Sequence, residues 1–354
     1  MVMRTNKVDG VRRIRLVSAP WPLFNRPSLP LGALKAYLST VSPDLQVDAD
    51  HLYLLLAREL GYTTYQCISK RVWRAEAIFS ALLYPDQAHR AESLYLRTIK
   101  RKDPAPSDFR RLVERAEVAS ERWLEGIDWH ALHLVGFSIS FCQVTASLYL
   151  ITRIKAHCPA LPVVVGGSSF SGQQTTNLLS AFPQIDYLVV GEGERPLAGL
   201  IEWLDKGPCG KDLKLPDGVL SRHAKPAEKR TNYQLRHIEG LPVPDYGDYF
   251  KLLANFSPED RFFPTIPIEA SRGCWWRRCD ATGKFRGCAF CNLNLQWRGY
   301  RTKTPRQVLG EINHQIERYQ VLSLAFADNS FPIKHAGAIF DNIDKLGRDL
   351  SIFT

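Results

Sequence analysis

Four of the chain's eight cysteines fall between positions 274 and 291. The segment reads Ile268-Glu-Ala-Ser-Arg-Gly-Cys274-Trp-Trp-Arg-Arg-Cys279, then, after eight residues, Cys288-Ala-Phe-Cys291. Thiolates at this density hold a metal ion, hold an iron–sulfur cluster, or become oxidised. The rest of the chain decides between these outcomes. The N-terminal residues lack the apolar stretch of a signal peptide, and no apolar run approaches the roughly 18 residues a membrane span needs. The expected location is therefore the cytoplasm, where a local cysteine cluster is a cofactor site rather than a disulfide framework. Cys67, Cys142, Cys158 and Cys209 are scattered through apolar or loop contexts and read as inert. A four-cysteine zinc site is the alternative, although the step from Cys274 to Cys279 and the aromatic flanks suit zinc ribbons poorly.

The elements that must position this cluster follow from composition and periodicity. At 354 residues, 45% hydrophobic and 23% charged, the chain is long enough for two globular domains. Its net charge is +10, and many of the positive residues fall in runs such as Arg97-Thr-Ile-Lys-Arg-Lys102 and Arg110-Arg111, interleaved with acids on what reads as a solvated helical face. Such a surface is compatible with an acidic peptide, and no basic-and-aromatic pattern of a nucleic-acid module accompanies it.

Strands alternate with helices through most of the chain. Arg13 to Ser18 reads as a strand, followed by a Pro-rich turn and a helix from Leu31 to Leu38. Residues from about Ala49 to Glu125 read as a helical insertion, with Leu52, Leu55, Leu56 and Leu60 on one face. Strands are then predicted at His133–Ser140, Pro162–Gly167 and Tyr187–Gly191, with helices at Gln143–Ala156, Thr175–Ala181 and Glu194–Leu204. This spacing argues for an α/β fold with a doubly wound parallel sheet over residues 1–205. Residues 206–262, rich in Pro, Gly and charge, read as a linker with at most a small hairpin. A second domain over 263–354 opens with a strand at Thr265–Ala270, which runs into the cysteine loop. Thr304 and Pro305 start a helix by N-cap and first-turn rules, and strands are expected at Leu322–Ala327 and Leu350–Thr354.

Two glycine loops follow strands of the first domain, Gly166-Gly167-Ser168-Ser169 and Gly191-Glu192-Gly193-Glu194. Doubly wound sheets bind ligands at such strand ends, and a missing Cβ lets backbone approach a ligand. Each loop taken alone is equally a tight turn, and neither fits a dinucleotide fingerprint.

Together, Arg272-Gly-Cys274-Trp-Trp276, Cys288-Ala-Phe-Cys291, Tyr300-Arg301-Thr-Lys-Thr-Pro305 and the two glycine loops resemble the radical S-adenosylmethionine (SAM) enzymes with an N-terminal cobalamin-binding domain. The closest likeness is to the group that matures ribosomally made peptides as C-methyltransferases. The resemblance spans residues 12–354 and implies a Rossmann-like domain followed by a partial (β/α) barrel. It implies a [4Fe–4S] cluster held by Cys274, Cys288 and Cys291, with Cys279 as the alternative first ligand. The open iron position would bind SAM, and the family's chemistry runs through a 5′-deoxyadenosyl radical. For SAM the resemblance points to Phe290, Arg301, Asp328 and Asn329. For cobalamin it points to Gly166, Gly167, Ser168, Gly191, Glu192 and Gly193. The implied partners are a precursor peptide, whose leader the positive net charge would allow to be acidic, and an electron donor such as flavodoxin or ferredoxin.

Two departures accompany the resemblance. The Asp-x-His-x-x-Gly motif of a lower axial histidine is absent, and His51 has the wrong spacing, so cobalamin would bind without a histidine below the cobalt. A six-unit barrel needs roughly 180 residues, judged from the ~250 of an eight-unit barrel, whereas 90 run from Thr265 to Thr354. The sequence is therefore expected to be C-terminally truncated, with about three units present. Two further readings are a radical SAM enzyme of other chemistry, cyclisation or tRNA modification, beside a vestigial first domain, and an inactive metal-binding remnant.

Overall fold

The computed structural model describes residues 12–100, 106, 108–169, 175–206, 214–222, 232–276, 278–279, 282, 285–286, 288, 290–291 and 299–354. The β-rich run after the N-terminus forms β1 (Arg12–Ser18), and Ser28 caps α1 (Leu29–Val41), whose Pro30 occupies the first turn. The chain then forms β2 (Leu45–His51), a strand that falls where the sequence reading began its helical insertion. Five helices follow, α2 (Leu52–Leu60), α3 (Tyr62–Ser69), α4 (Val72–Leu83), α5 (Ala88–Thr98) and α6 (Phe109–Glu125). Alternation resumes with β3 (Leu134–Ser138), α7 (Val144–His157), β4 (Val163–Gly166), α8 (Thr175–Ala181), β5 (Tyr187–Val189) and α9 (Glu194–Lys206).

These strands form one sheet in the order β2-β1-β3-β4-β5, all parallel. From β1 the chain winds one way to β2 and the other way to β3, so the carboxyl ends of β1 and β3 flank the switch point where doubly wound sheets bind ligands. The acidic residues that masked β2 in the sequence have a cross-strand use. Arg15 of β1 pairs with Asp50 at 2.8 Å and with Asp48 at 3.2 Å. The helical insertion is tied to the sheet, because the Glu76 carboxylate accepts the Val144 and Thr145 amides at 3.1 and 2.9 Å and so caps α7.

The stretch read as a linker contributes structure to both units. Val219–Ser221 forms β6, an antiparallel edge strand beside β5, and Gly247–Ala254 forms α10, which packs on β2. Tyr246 is fully buried and donates to the Pro267 carbonyl at 2.9 Å, while its ring covers Gly32 of α1. This one residue thereby bridges the first unit to the second.

The second unit has β7 (Ile266–Ile268), β8 (Ser271–Arg272), the short hairpin β9 (Arg278–Cys279) with β10 (Phe285–Arg286), β11 (Arg301–Thr302), α11 (Pro305–Tyr319), β12 (Ser323–Phe326), α12 (Ile333–Asp344) and β13 (Ser351–Phe353). Strands β7, β12 and β13 form a parallel sheet in the order β13-β12-β7. Thr304 and Gln307 make a reciprocal capping box at the start of α11. That helix lays Val308, Ile312 and Ile316, spaced four apart, on Ile266, Ile268 and Leu324, each apolar side chain contributing about 1.5–3 kcal/mol. No helix among the described residues is long and apolar enough to cross a membrane.

The packing around Gly32 sets a test. A Cβ there would stand 2.6 Å from the Tyr246 ring, whereas a Cβ at Gly310, in exposed α11 surface, meets nothing within 4 Å. Both substitutions to Ala gain helix propensity of about 1 kcal/mol, and only Gly32→Ala incurs an overpacking cost of about 1–3 kcal/mol. Urea unfolding is expected to show Gly310→Ala stabilised and Gly32→Ala destabilised.

Candidate functional site

A cleft of about 320 Å³ opens at the carboxyl ends of β1, β3, β4 and β5, within the usual range for small-molecule sites. Its deep wall is apolar, formed by Leu16, Leu31 and Leu34 with Val164 and Val189, and Gly136 lies at its floor. Gly166, Gly167, Ser168, Gly191, Glu192 and Gly193, the six residues of the two loops singled out by sequence, all line it. The opposite wall comes from the second unit, through Glu269, Ser271, Arg272, Gly273, Ala327 and Asn329. The cleft thus lies between the first unit's glycine loops and the strand that leads into the cysteines.

The glycines have a more local reason than ligand approach. Gly167 (φ +109°) and Gly191 (φ +101°) adopt backbone that L side chains rarely take. A Cβ at either would collide with neighbouring backbone, 2.3 Å from the Ile139 carbonyl oxygen and 2.1 Å from that of Tyr233. The crossing of two backbone segments requires these residues, and the cleft forms beside the crossing.

The cysteine loop is closed at its base by the antiparallel pair β8–β11, in which Arg301 stands opposite Arg272. Cys274, Cys288 and Cys291 are free and half-buried, and Cys288 and Cys291 bracket a turn in which the Cys291 amide donates to the Cys288 carbonyl at 3.1 Å. The backbone of Cys279 lies in β9, opposite Phe285; its side chain lies outside the described residues. Among the described residues no group of three or more His, Cys, Asp or Glu side chains is gathered to hold a single metal ion. Phe290 is exposed beside Cys291.

Two cations directly opposite on neighbouring strands repel each other, and glutamates of the first unit answer both. Arg301 forms a fork with Glu192, at 2.7 and 2.9 Å, and donates to the Leu235 carbonyl at 2.6 Å. Arg272 pairs with Glu194 at 2.7 Å, Glu269 at 2.8 Å and Glu192 at 3.6 Å. Burial works against the Arg272 charge, yet Glu269 and Glu194 hold its pKa above the ordinary arginine value. Arg301, expected at SAM, does not line the cleft. Glu192, expected at cobalamin, lines the cleft but directs its carboxylate to Arg301. The sequence reading assigns no site role to Arg272, Glu194 or Glu269, although Glu269 and Arg272 lie in the run that leads into Cys274 and Glu194 closes the second glycine loop.

Asp328 and Asn329 separate in role. Asn329 is exposed and lines the cleft, whereas Asp328 accepts hydrogen bonds from the Ser271 hydroxyl and the Ala270 amide, holding β8 to the end of β12. His51 is buried at the end of β2 rather than within a helix, with Nδ1 3.0 Å from the Tyr53 hydroxyl. Burial and the Lys35 charge push its pKa down to about 3, and it is not among the residues lining the cleft.

No protein-family model matches the chain. It is similar to an uncharacterised methyltransferase of Pyrococcus horikoshii, 27% identical over 205 residues, covering 53% of this chain and 38% of that protein. It is also similar to two anaerobic magnesium-protoporphyrin IX monomethyl ester cyclases. That of Rubrivivax gelatinosus is 28% identical over 221 residues, covering 59% of this chain and 36% of that protein. That of Synechocystis is 27% identical over 203 residues, covering 55% and 36%. The matches span little more than a third of the length of these curated relatives. Among solved structures, the radical SAM methyltransferase TsrM of Kitasatospora setae, determined with cobalamin and a [4Fe–4S] cluster bound, is 16% identical with a TM-score of 0.49, over 95% of this chain and 52% of that chain.

Burial raises the Asp328 pKa to about 6 from 3.8, against the lowering effect of its hydrogen bonds from Ser271 and Ala270. The folded state therefore holds this proton more tightly than the unfolded state, and the group's contribution to stability falls as pH rises from about 4 to about 6. Relative to wild type, Asp328→Asn is expected to gain on the order of 3 kcal/mol between pH 4 and pH 7. Denaturant titrations of both proteins at the two pH values measure this difference.

Proposed function

We propose that this chain belongs to the radical SAM enzymes that carry a cobalamin-type first domain, and that it acts as a methyltransferase on a ribosomally made peptide. The observation that carries the reading is the shared cleft: six glycine-loop residues of the first unit face the strand that delivers Cys274. Three free, half-buried thiols on one loop closed at its base fit a cluster with three protein ligands.

Cys274, Cys288 and Cys291 would hold the cluster, with Cys279 the alternative to Cys274. When bound, the cluster, SAM and cobalamin together supply one-electron cleavage of a sulfonium and a methyl carrier. The chain's own residues have simpler tasks. Ser271 and Asp328 fix the strand before Cys274, and Asn329 presents an amide to the cleft. Phe290 offers an exposed ring beside the cysteine pair for stacking. The apolar lining that α1 and the sheet give the cleft, Leu31 and Leu34 with Leu16, Val164 and Val189, suits an apolar part of a ligand, and the two glycine loops place backbone beside it. The methyltransferase name of the Pyrococcus relative favours methyl transfer. The cyclase names of the other two favour a second reading, in which the same radical step closes a ring. The net charge of +10 supports an acidic segment in the peptide substrate.

Anaerobic reconstitution with iron and sulfide is expected to load about four irons per chain. Cys288→Ala and Cys291→Ala each lose the iron, as does Cys274→Ala but not Cys279→Ala. Zinc uptake with no iron would sink the reading. Hydroxocobalamin that stays with the chain through gel filtration supports methyl transfer, and a chain that loads iron but takes up no cobalamin favours the cyclising alternative.

A further inference from the structure

The ion-pair lattice between the units does more than neutralise two arginines. Glu192 and Glu194 flank Gly193, and all three line the cleft. Their carboxylates reach Arg301 and Arg272, with every side chain in the lattice largely buried. Arg272 uses each of its guanidinium nitrogens, Nε on Glu269, Nη2 on Glu194 and Nη1 toward Glu192. Only Gly273 separates it from Cys274. Gly273 (φ +89°) is itself pressed against the far end of the loop, since a Cβ there would stand 2.5 Å from the Gly299 carbonyl oxygen. The linkage from glycine loop to first cysteine therefore has little slack.

We propose that Glu194 and Arg272 are a positioning pair that couples what binds in the cleft to the geometry of the cysteine loop. The backbone at 191–194 cannot shift around a ligand without drawing on Arg272, and Arg272 cannot move without displacing Cys274. Coupling of this kind is reciprocal, so filling the cysteine loop must also restrain the glycine loop. A buried pair suits the task, because in low dielectric its geometry is held by two partners that lack an equivalent alternative in water. Neither residue touches the reacting atoms; each acts through the loop it anchors. The proposal rests on reading the cysteine loop as a cluster site.

Amide hydrogen exchange of residues 190–197, compared in the full chain before and after anaerobic reconstitution with iron and sulfide, tests the coupling. In wild type, exchange there is expected to slow several-fold once iron is loaded. In Glu194→Gln, with iron per chain matching wild type, loading is expected to leave exchange within twofold of its starting value. Glu194→Asp, which keeps the charge, should recover part of the slowing. Equal slowing in wild type and Glu194→Gln at equal iron content overturns the coupling while leaving the cluster site intact. A wild-type chain that takes up no iron overturns the reading of the site, and the coupling with it.

Discussion

Two arginines placed opposite each other on an antiparallel pair are the constraint around which the site is organised. Arg272 and Arg301 close the base of the cysteine loop, where like charges in register repel. The structure resolves this with Glu192, Glu194 and Glu269, so that the β8–β11 pair depends on the first unit's glycine loop lying against it. Removing one partner would leave a buried charge uncompensated, at a cost of about 3–5 kcal/mol. The contact is therefore demanding in geometry as well as in charge.

The remaining architecture holds the two sides of that contact at the right separation. Tyr246 is wedged between α1 and β7, and Gln315 of α11 donates to the Pro244 carbonyl at 2.8 Å. Lys35 of α1 pairs with Asp248 of α10, which also accepts the Ala49 amide of β2 at 2.8 Å. The segment between the two sheets thus acts as a strut, with its polar groups spent on the elements it joins. A cleft at the switch point of the first sheet is thereby roofed by the second unit, and the apolar wall between α1 and the sheet meets polar groups at the mouth.

Much of the fold was legible in the residues. The parallel strands after the insertion are short, largely apolar runs, as buried strands are, and their ends lie within two residues of expectation. Thr304 and Pro305 marked the start of α11 because capping chemistry is local. Strand β2 was missed because its alternation, with Gln46, Asp48 and Asp50 turned to one face, runs without a break into the leucine pattern of α2. Residues 206–262 read as a linker because β6 and α10 are short and take their stability from neighbours distant in sequence. The ion pair of Glu192 with Arg301 was not legible for the same reason, since it joins residues 109 positions apart.

By itself the sequence determined the local chemistry: four cysteines on one loop, two glycine loops after strands, and the capped and amphipathic helices. These depend on neighbours within a turn or on the alternation of a single strand. Only the tertiary structure decided which of those groups face one another. It spent the glutamates of the glycine loop on arginines rather than on the cleft, turned Asp328 to Ser271 and left Asn329 at the cleft wall. A charge in a low-dielectric interface takes the partner that the packing of distant elements delivers, and no spacing in the sequence records that partner.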